Sequence, residues 1–435
     1  MNNAGVSPLL SVGPFALLFL AVPVVLLGEA LNQRFTGLRR LHIPAAILGG
    51  LLVAVALLVA GEIRPGLVRL SGETKNLAWL WPVLPQWDLS EPRATGVERP
   101  LLILFFTCMG LNASLALARQ GGRPLLLFFA LASVLSVLQA VVGAGLARAL
   151  GENPLLGVLA GTTSLMGGFG TVAGFAPEFT KAGLAGAPVI GVAAAAYGVI
   201  AGGIIAGILG GRLIPRHGDP VRDDARAVDS ADPAGPRPGF IALVLRLVAM
   251  GRPVLLHLAV LLLCMKAGAV LSGLLQARGL TFPVYMGALV VAAITRSMHD
   301  SLGGRWLRTD CTDALGAVAL TWLLAVVMVN LQLVQLSRAA LPLVVLLAVQ
   351  TVLMVAAARW VVFRLMGRDH EAAVMTAGLV GFGLGATSNA LASMRELTAR
   401  FGPAPRAFLI VPIVGAFLID FTNALVTTLA LNLLR

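Results

Sequence analysis

Two glycine-rich runs carry the residues best suited to bind a small ligand. The first, TTSLMGGFGTVAGF, begins at Thr162, and the second, GFGLGATSNALASM, begins at Gly381. Glycine lets backbone approach a ligand closely and opens its N–H and C=O groups for binding. The hydroxyl and amide side chains beside these glycines add oxygen donors that suit Na⁺ and hydrogen-bond donors that suit a carboxylate. The two runs therefore predict a pair of binding segments.

The predicted substrate-binding residues are distributed over both runs. They are Ser164, Gly168, Gly170, Thr171, Gly385, Thr387, Ser388 and Asn389. Close packing of helices through small residues is the alternative, and for any single hydroxyl it is the more common role in a membrane. Matching positions in two runs favour binding. A nucleotide loop is a poor alternative, because neither run contains a GK[ST] signature or follows a strand.

Asp420, in GAFLIDFTNALV, is an acid deep within an apolar segment. An aspartate at the centre of a membrane helix costs about 2.5–3.5 kcal/mol on the insertion scale. Its carboxylate should therefore face the protein interior and hold a cation or a proton. Asn423 lies one turn further along and shares the same helix face. We predict an ion-binding site made of Thr163, Asp420 and Asn423, with a structural hydrogen bond as the alternative role of the aspartate.

Four further polar residues leave their roles open. Lys266, in LLLCMKAGAV, is expected to snorkel to the interface or to pair structurally, and less favourably to act directly in binding. Arg296 lies at a span end, where anchoring at the interface competes with a contact to a substrate carboxylate. Asn112 and Ser114, in MGLNAS, fit packing and substrate gating equally well.

The composition places most of the chain in lipid. Of 435 residues, 58% are hydrophobic and 12% are charged, with a mean hydropathy of +0.91, whereas a soluble domain carries about 25% charged residues. The net charge of +12 is carried by loops between apolar runs. There it indicates topology and contact with anionic lipid, so we expect a lipid bilayer and no nucleic acid as partner.

Enzyme chemistry is not indicated. No nucleophile–base pair, paired carboxylates or Cys/His metal spacing is visible in the apolar segments, and the three cysteines are far apart in the sequence. We therefore expect neither a resident cofactor nor a transition-metal site.

The elements that position the predicted site are ten membrane crossings and two interrupted stretches. The stretches at 153–179 and 370–398 are broken by glycine and polar residues, and loosened backbone needs a protein or water environment. We predict that both are re-entrant hairpins in an all-α polytopic protein. Both termini are then periplasmic, because this arrangement puts most Lys and Arg residues in cytoplasmic loops. The crossings are at about 9–31, 43–61, 100–118, 124–148, 184–211, 254–277, 282–298, 313–336, 340–363 and 406–433.

The two halves of the chain repeat each other. A polar linker at 212–239, expected to be cytoplasmic, separates residues 1–211 from residues 240–435. Each half contains five crossings and one hairpin, and an odd number of crossings inverts the second half in the membrane. The ordered matches between the halves are Pro44 with Pro283, the MGLN run with Met328–Asn330, Gln139 with Gln350, and Gly167–Thr171 with Gly383–Thr387.

Four motifs together resemble the bacterial sodium/glutamate symporter family: GLNASL, GGFGT, GFGLGAT and FLIDFTNALV. The resemblance covers the chain from about residue 40 to the C-terminus. It implies Na⁺ as coupling ion, import of glutamate across the inner membrane, and inverted five-helix repeats with two re-entrant hairpins. It also implies a homodimer in which a transport domain moves like an elevator against a scaffold.

The chain departs from the family pattern at two places in the hairpins. Phe169 stands where family members often carry histidine, and Ser388 and Asn389 follow Thr387 where a Thr-Pro pair is usual. Fold and Na⁺ coupling therefore transfer more securely than glutamate itself. A Na⁺- or H⁺-coupled carrier of a different small carboxylate, an exporter, or a channel built on broken helices are the alternatives.

Overall fold

The computed structural model describes residues 10–35, 44–63, 68–86, 94–113, 121–214, 239–278, 282–304, 306–330 and 334–434. Within these residues the protein is mostly α-helical. In this described part of the chain, seven helical segments are long and apolar enough to cross a membrane: Pro14–Arg34, Gly122–Ala149, Ala187–Leu213, Arg252–Ala277, Thr309–Val329, Ala339–Leu365 and Pro405–Leu433. The structure is therefore that of a polytopic helical membrane protein.

The described residues form a succession of α-helices. In order they are α1 (Pro14–Arg34), α2 (Ala45–Ile63), α3 (Leu77–Leu80), α4 (Arg99–Asn112), α5 (Gly122–Ala149), α6 (Pro154–Val158), α7 (Gly168–Lys181), α8 (Ala187–Leu213), α9 (Phe240–Met250), α10 (Arg252–Ala277), α11 (Val284–Ser301), α12 (Thr309–Val329), α13 (Val334–Ala357), α14 (Phe363–Leu365), α15 (His370–Leu384), α16 (Thr387–Phe401), α17 (Pro405–Ile413) and α18 (Ile419–Leu433). A 3₁₀ turn spans Trp81–Val83, and π-helical turns span Leu159–Thr163, Ala358–Val362 and Val414–Leu418.

Two short pairs of strands accompany the helices, which the all-α prediction did not include. Strand β1 (Leu10–Val12) pairs in parallel with β2 (Val68–Leu70), and β3 (Glu73–Thr74) pairs antiparallel with β4 (Thr95–Gly96). These strands are only two or three residues long, so their alternation is too brief to detect in a sequence.

Each of the ten predicted crossings overlaps a described helical segment, and seven of them correspond to the long apolar segments. The other three, at about 43–61, 100–118 and 282–298, coincide with α2, α4 and α11, which are not among the seven long apolar segments. The count of ten crossings therefore stays a prediction. Ser114 and most of the 212–239 linker lie outside the described residues.

The chain divides into two compact units, each assembled from two stretches of sequence. Unit 1 comprises Met1–Ser114 and Gly239–Ser337, and unit 2 comprises Leu115–Pro238 and Arg338–Arg435. Unit 1 thus holds α1–α4 and α9–α12, while unit 2 holds α5–α8 and nearly all of α13–α18.

Helices of unit 1 cross closely at glycines. A Cβ atom at Gly28 in α1 would lie 1.9 Å from the carbonyl oxygen of Ala45, at the start of α2. One at Gly268 in α10 would lie 2.3 Å from Ala288 in α11. Such contacts are the usual way for helices to associate in lipid, where packing rather than the hydrophobic effect drives association.

Lys266 has a structural environment inside unit 1. Its ammonium donates to the carbonyl oxygens of Trp81, Leu84 and Gln86 at 3.1, 3.0 and 2.5 Å, and lies 4.7 Å from the centroid of the Trp81 ring. The side chain is 1% exposed. Lys266 therefore fastens the segment around the 3₁₀ turn to α10, as the structural interpretation predicted.

Replacing Lys266 by methionine should destabilise the protein, because three carbonyl oxygens lose the charge-assisted donor that the buried ammonium supplies. We expect a loss of about 3–5 kcal/mol, in the range for removing one partner of a buried charged network. Thermal unfolding in detergent, followed by tryptophan fluorescence, measures it. The exposed Lys75→Met is the control and should leave the midpoint unchanged. Equal midpoints for the two variants would contradict the structural role.

Candidate functional site

The first predicted hairpin is two half-helices separated by a break. The side chain of Asn153 accepts a hydrogen bond from the Leu155 N–H at 2.9 Å and starts α6. The π-helical turn that follows contains Gly161, whose backbone leaves the helical region at φ −89° and ψ −118°. Helix α7 then begins at Gly168, with a φ of +65° that favours glycine. The glycines thus interrupt the segment as the sequence predicted.

The second hairpin is also two half-helices. Helix α15 ends at Leu384, Gly385 follows it as the C-cap, Ala386 is extended, and α16 begins at Thr387. The half-helices pack against each other at Gly381, where a Cβ atom would lie 2.6 Å from the Cα of Ala390. A side chain at Gly381 would force the halves apart, so the glycine fixes their close approach.

The two breaks meet inside unit 2. A Cβ atom at Gly168 would lie 3.4 Å from the carbonyl oxygen of Gly385. Helices α7 and α16 both begin at this point, and the first N–H groups of a helix have no partner within it. A helix N-terminus also carries about half a positive charge. The meeting point of the breaks therefore presents two helix ends suited to an anion.

Hydroxyl and amide side chains join the first hairpin to α5 and α18. The Thr162 hydroxyl donates to the Asn423 side-chain oxygen at 2.7 Å and lies 2.7 Å from the Ser136 hydroxyl. The Thr163 and Thr427 hydroxyls are 3.0 Å apart. All five side chains are fully buried. Two of the three predicted ion-binding residues, Thr163 and Asn423, thus lie in one region where α18 contacts the first hairpin.

Asp420 lies at the edge of this region. It occupies the first turn of α18, directly after the π-helical turn Val414–Leu418, and its side chain is half-buried. Among the residues that the structure describes, its carboxylate makes no hydrogen bond or ion pair, whereas Asn423 one turn later is fully buried. The structure therefore leaves the role of Asp420 as a prediction.

The predicted residues of the second hairpin have different surroundings. The Thr387 hydroxyl donates to the Gly415 carbonyl oxygen at 2.6 Å, inside the π-helical turn before α18. The Asn389 amide nitrogen donates to the Val199 carbonyl oxygen of α8 at 2.5 Å. Ser388 is half-buried, and no hydrogen bond of its side chain to a described residue is present. These contacts dock the start of α16 onto α8 and α17–α18.

The remaining predicted residues surround the break in the first hairpin. Ser164 is fully buried and Thr171 is 4% exposed, whereas Gly168 and Gly170 are half-buried. Phe169 is buried between these glycines and places an aromatic ring in the first turn of α7.

Several buried polar atoms around the two breaks have no hydrogen-bond partner in the described part of the chain. They are Ser164 Oγ, Asn389 Oδ1, Asn423 Nδ2, Gln139 Oε1 and Gln350 Oε1. Each such atom costs about 1–3 kcal/mol if it stays unsatisfied. A region with several of them has the chemistry of a site that a polar ligand or ion completes, because oxygens accept and coordinate while the amide N–H donates.

Sequence reasoning missed part of this region. Ser136 and Thr427 contact the first hairpin, and Gln139 bonds to the second, but none of them was predicted as a site residue. One signal was present: Ser133, Ser136, Gln139 and Gly143 recur at helical spacing in an otherwise apolar span. This spacing places them on one face of α5.

A cavity of about 500 Å³ elsewhere in unit 2 lies between α8 and α13. Its lining is apolar apart from two arginines and contains none of the predicted site residues: Ile205, Ile208, Leu209, Arg212, Val355 and Arg359. We therefore place the candidate site at the hairpin breaks rather than in this cavity.

A polytopic helical chain with two interrupted hairpins that meet among buried, unpartnered polar groups has the architecture of a membrane transport protein. The sodium/glutamate symporter family model matches residues 88–403. The chain is 35% identical over 421 residues to the sodium/glutamate symporter of Escherichia coli (strain K12), covering 96% of this chain and 97% of that protein. It is 33% identical over 408 residues to the sodium/glutamate symporter of Haemophilus influenzae, covering 94% of each chain. No solved structure matches.

The chain therefore belongs to the sodium/glutamate symporter family. Membership makes it a multi-pass integral membrane transporter and not an enzyme. It also confirms the family that the hairpin and C-terminal motifs indicated.

Proposed function

We propose that this protein couples the entry of Na⁺ to the uptake of glutamate, or of a closely similar anionic amino acid, across the bacterial inner membrane. The observation that carries the proposal is the group of buried, unpartnered polar atoms where the two hairpin breaks meet. The sodium/glutamate symporters of E. coli and H. influenzae, similar over nearly the whole chain, support it.

Substrate and ion would use different parts of this region. The N-termini of α7 and α16, with Ser164, Thr171 and the residues that follow Gly385, suit the carboxylates of the substrate. Oxygens of Thr163, Asp420 and Asn423 suit Na⁺. Because Thr163 belongs to the same half of the hairpin as Ser164, Na⁺ binding would order the residues that the substrate needs next.

The Na⁺ gradient supplies the driving force. Each positive charge that moves down about 100 mV releases about 2.3 kcal/mol. Two or more Na⁺ per substrate would thus concentrate a monoanion strongly. The coupling requires only that the substrate-binding geometry form when Na⁺ is bound.

The proposed architecture is two inverted repeats, each of five crossings and one re-entrant hairpin. It is supported by the composition of the units: the first three membrane helices of each half, α1, α2 and α4 with α10, α11 and α12, fall in unit 1. The last elements of each half, both hairpins included, fall in unit 2. We propose that unit 2 is the transport domain of an elevator, that unit 1 is the scaffold of a homodimer, and that both termini are periplasmic.

A different small carboxylate is the second candidate substrate. Phe169 places an apolar ring in the first turn of α7, and Asn389 places a buried amide in the first turn of α16. Both lie beside the meeting point of the breaks, where the substrate side chain would be distinguished. A substrate without a second carboxylate, or with a hydroxyl in place of the amine, would fit these changes.

Uptake by purified protein in proteoliposomes tests the proposal. Radiolabelled glutamate should accumulate with an inward Na⁺ gradient, and replacing Na⁺ by K⁺ or collapsing the gradient should abolish accumulation. Unlabelled aspartate, hydroxyglutarate and glutarate identify the preferred carboxylate by competition. Accumulation that follows a proton gradient without Na⁺, or flux through an uncoupled pore, would contradict Na⁺ symport.

A further inference from the structure

Two buried glutamines connect the helices that hold the hairpins. The Gln139 amide nitrogen, from α5, donates to the Gly383 carbonyl oxygen at 3.3 Å, two residues before the second break. The Gln350 amide nitrogen, from α13, donates to the main-chain oxygen of Gln139 at 2.7 Å. Both side chains are fully buried, and the two residues matched each other in the repeat predicted from the sequence.

The orientation of each amide is fixed by its nitrogen. A carbonyl oxygen accepts from each Nε2, and turning the amide over would set two oxygens against each other. The Oε1 atoms therefore point elsewhere, and neither has a hydrogen-bond partner among the described residues. The amide nitrogens account for one half of each side chain, and the two buried, unsatisfied oxygens favour a ligand that completes them.

The two amides lie beside a non-helical stretch of backbone and a further side-chain oxygen. Cβ atoms at Gly161 and Gly143 would lie only 2.8 and 2.9 Å from the Gln350 amide nitrogen, so both positions need glycine to admit it. Gly161 is the residue at which the first hairpin leaves helical geometry. One turn before Gln139 on α5, Ser136 contributes its hydroxyl. Neutral oxygen donors surrounding broken backbone suit a small hard cation and would repel a carboxylate.

We propose that the Oε1 atoms of Gln139 and Gln350 bind a Na⁺ ion, separate from the ion assigned to Thr163, Asp420 and Asn423. The proposal rests on the proposed Na⁺ coupling and adds a site to it. An ion bound by both amides would link α5 to α13. Because Gln139 also donates to the Gly383 carbonyl oxygen, the ion would stabilise the backbone at Gly383 and at the Gly385 break. Binding of this ion would therefore prepare the second hairpin for the substrate, as the other ion prepares the first.

The Na⁺ dependence of uptake tests the assignment in the full-length protein. For Gln139→Leu and Gln350→Leu we expect half-maximal uptake to need about tenfold more Na⁺, equivalent to ~1.4 kcal/mol. The Hill coefficient for Na⁺ should also fall towards one. At saturating Na⁺ the KM for glutamate should change less. Gln276→Leu is the matched control, because this exposed glutamine of α10 also donates to a carbonyl oxygen, that of Phe282.

A second variant separates coordination from structure. Gln350→Glu keeps an oxygen for the ion but sets its second oxygen against the main-chain oxygen of Gln139, so it should retain more Na⁺ activation than Gln350→Leu without matching the unmodified protein. A purely structural amide would make the glutamate variant as defective as the leucine variant. The Na⁺-induced rise in thermal midpoint, measured without substrate, should shrink in the leucine variants and persist in Gln350→Glu.

Three results would overturn the assignment. Leucine variants with an unchanged Na⁺ curve would do so, as would glutamate and leucine variants that are equally defective. A rise in KM for glutamate but not for glutarate, with Na⁺ activation unchanged, would assign the amides to the substrate ammonium instead. If the unmodified protein shows no Na⁺ dependence at all, the proposed function fails first, and the two failures remain distinguishable.

Discussion

Replacing Asp420 by asparagine is expected to reduce Na⁺-driven uptake to the background of empty proteoliposomes while leaving expression intact. Asparagine keeps the volume of the side chain and removes only its charge, so folding should survive. The half-buried carboxylate has no hydrogen-bond or ion-pair partner among the described residues, and it stands one turn before the buried Asn423. A carboxylate placed within a membrane helix in this way is typically compensated by a bound cation or proton.

The control for this prediction removes a negative charge from the surface of the same unit. Glu396 in α16 pairs with Arg400 at 2.9 Å, with 58% of its side chain exposed. An exposed pair contributes only about 0–1 kcal/mol, so Glu396→Gln should transport within about twofold of the unmodified protein. Initial rates at several Na⁺ concentrations, normalised to reconstituted protein, provide the comparison. Unchanged uptake by Asp420→Asn would remove this residue from the mechanism.

The breaks in the two glycine-rich segments could be predicted from the sequence because their cause is local. Glycines at 161, 168, 381 and 385 stand where the backbone breaks, bends or approaches a neighbour, and these residue types are visible without any knowledge of tertiary structure. The hydroxyl residues beside these glycines are equally visible in the sequence, and their presence in both runs indicated a binding role.

The partners of the hairpins could not be predicted, because they are remote in sequence. Thr163 meets Thr427 across 264 residues, and Gln139 meets Gly383 across 244. Periodicity identifies the buried face of a helix but not the helix that covers it. The polar face of α5 was therefore detectable, whereas its contact with the first hairpin was not.

The grouping of helices into two compact units also depends on contacts between residues that are remote in sequence. A boundary predicted from composition falls at the polar linker 212–239, since linkers are recognised by charge and proline content. The compact units instead combine α1–α4 with α9–α12, and α5–α8 with the rest. Packing between helices of different halves decides this grouping, so it requires the structure. The predicted repeats describe how the sequence is duplicated, which is a different property from compactness.

Gly143→Ala should lower uptake at least tenfold and destabilise the protein by about 1–3 kcal/mol, the usual cost of overpacking. Helix α5 crosses α6 at this residue: a Cβ atom at Gly143 would lie 2.3 Å from the Gly157 carbonyl oxygen, and one at Gly157 would lie 1.8 Å from that of Gly143. Both contacts involve main-chain atoms, which cannot move aside as the end of a flexible side chain can. The added methyl group must therefore displace α6, and Thr162 and Thr163 move with it.

Gly145→Ala, two residues along the same helix, separates this effect from helix propensity. A Cβ atom there has no atom of a described residue within 4 Å, so the variant should gain up to about 1 kcal/mol of intrinsic helix stability and transport normally. Gly143→Ala gains the same propensity, and any loss it shows is attributable to the close contacts of Gly143 with the Gly157 carbonyl oxygen and with the Gln350 amide nitrogen. Thermal midpoints in detergent and Na⁺-driven glutamate uptake distinguish the two variants. Equal values would mean that the position of the first hairpin does not depend on close backbone contact with α5, and the Ser136–Thr162–Asn423 contacts would then need another cause.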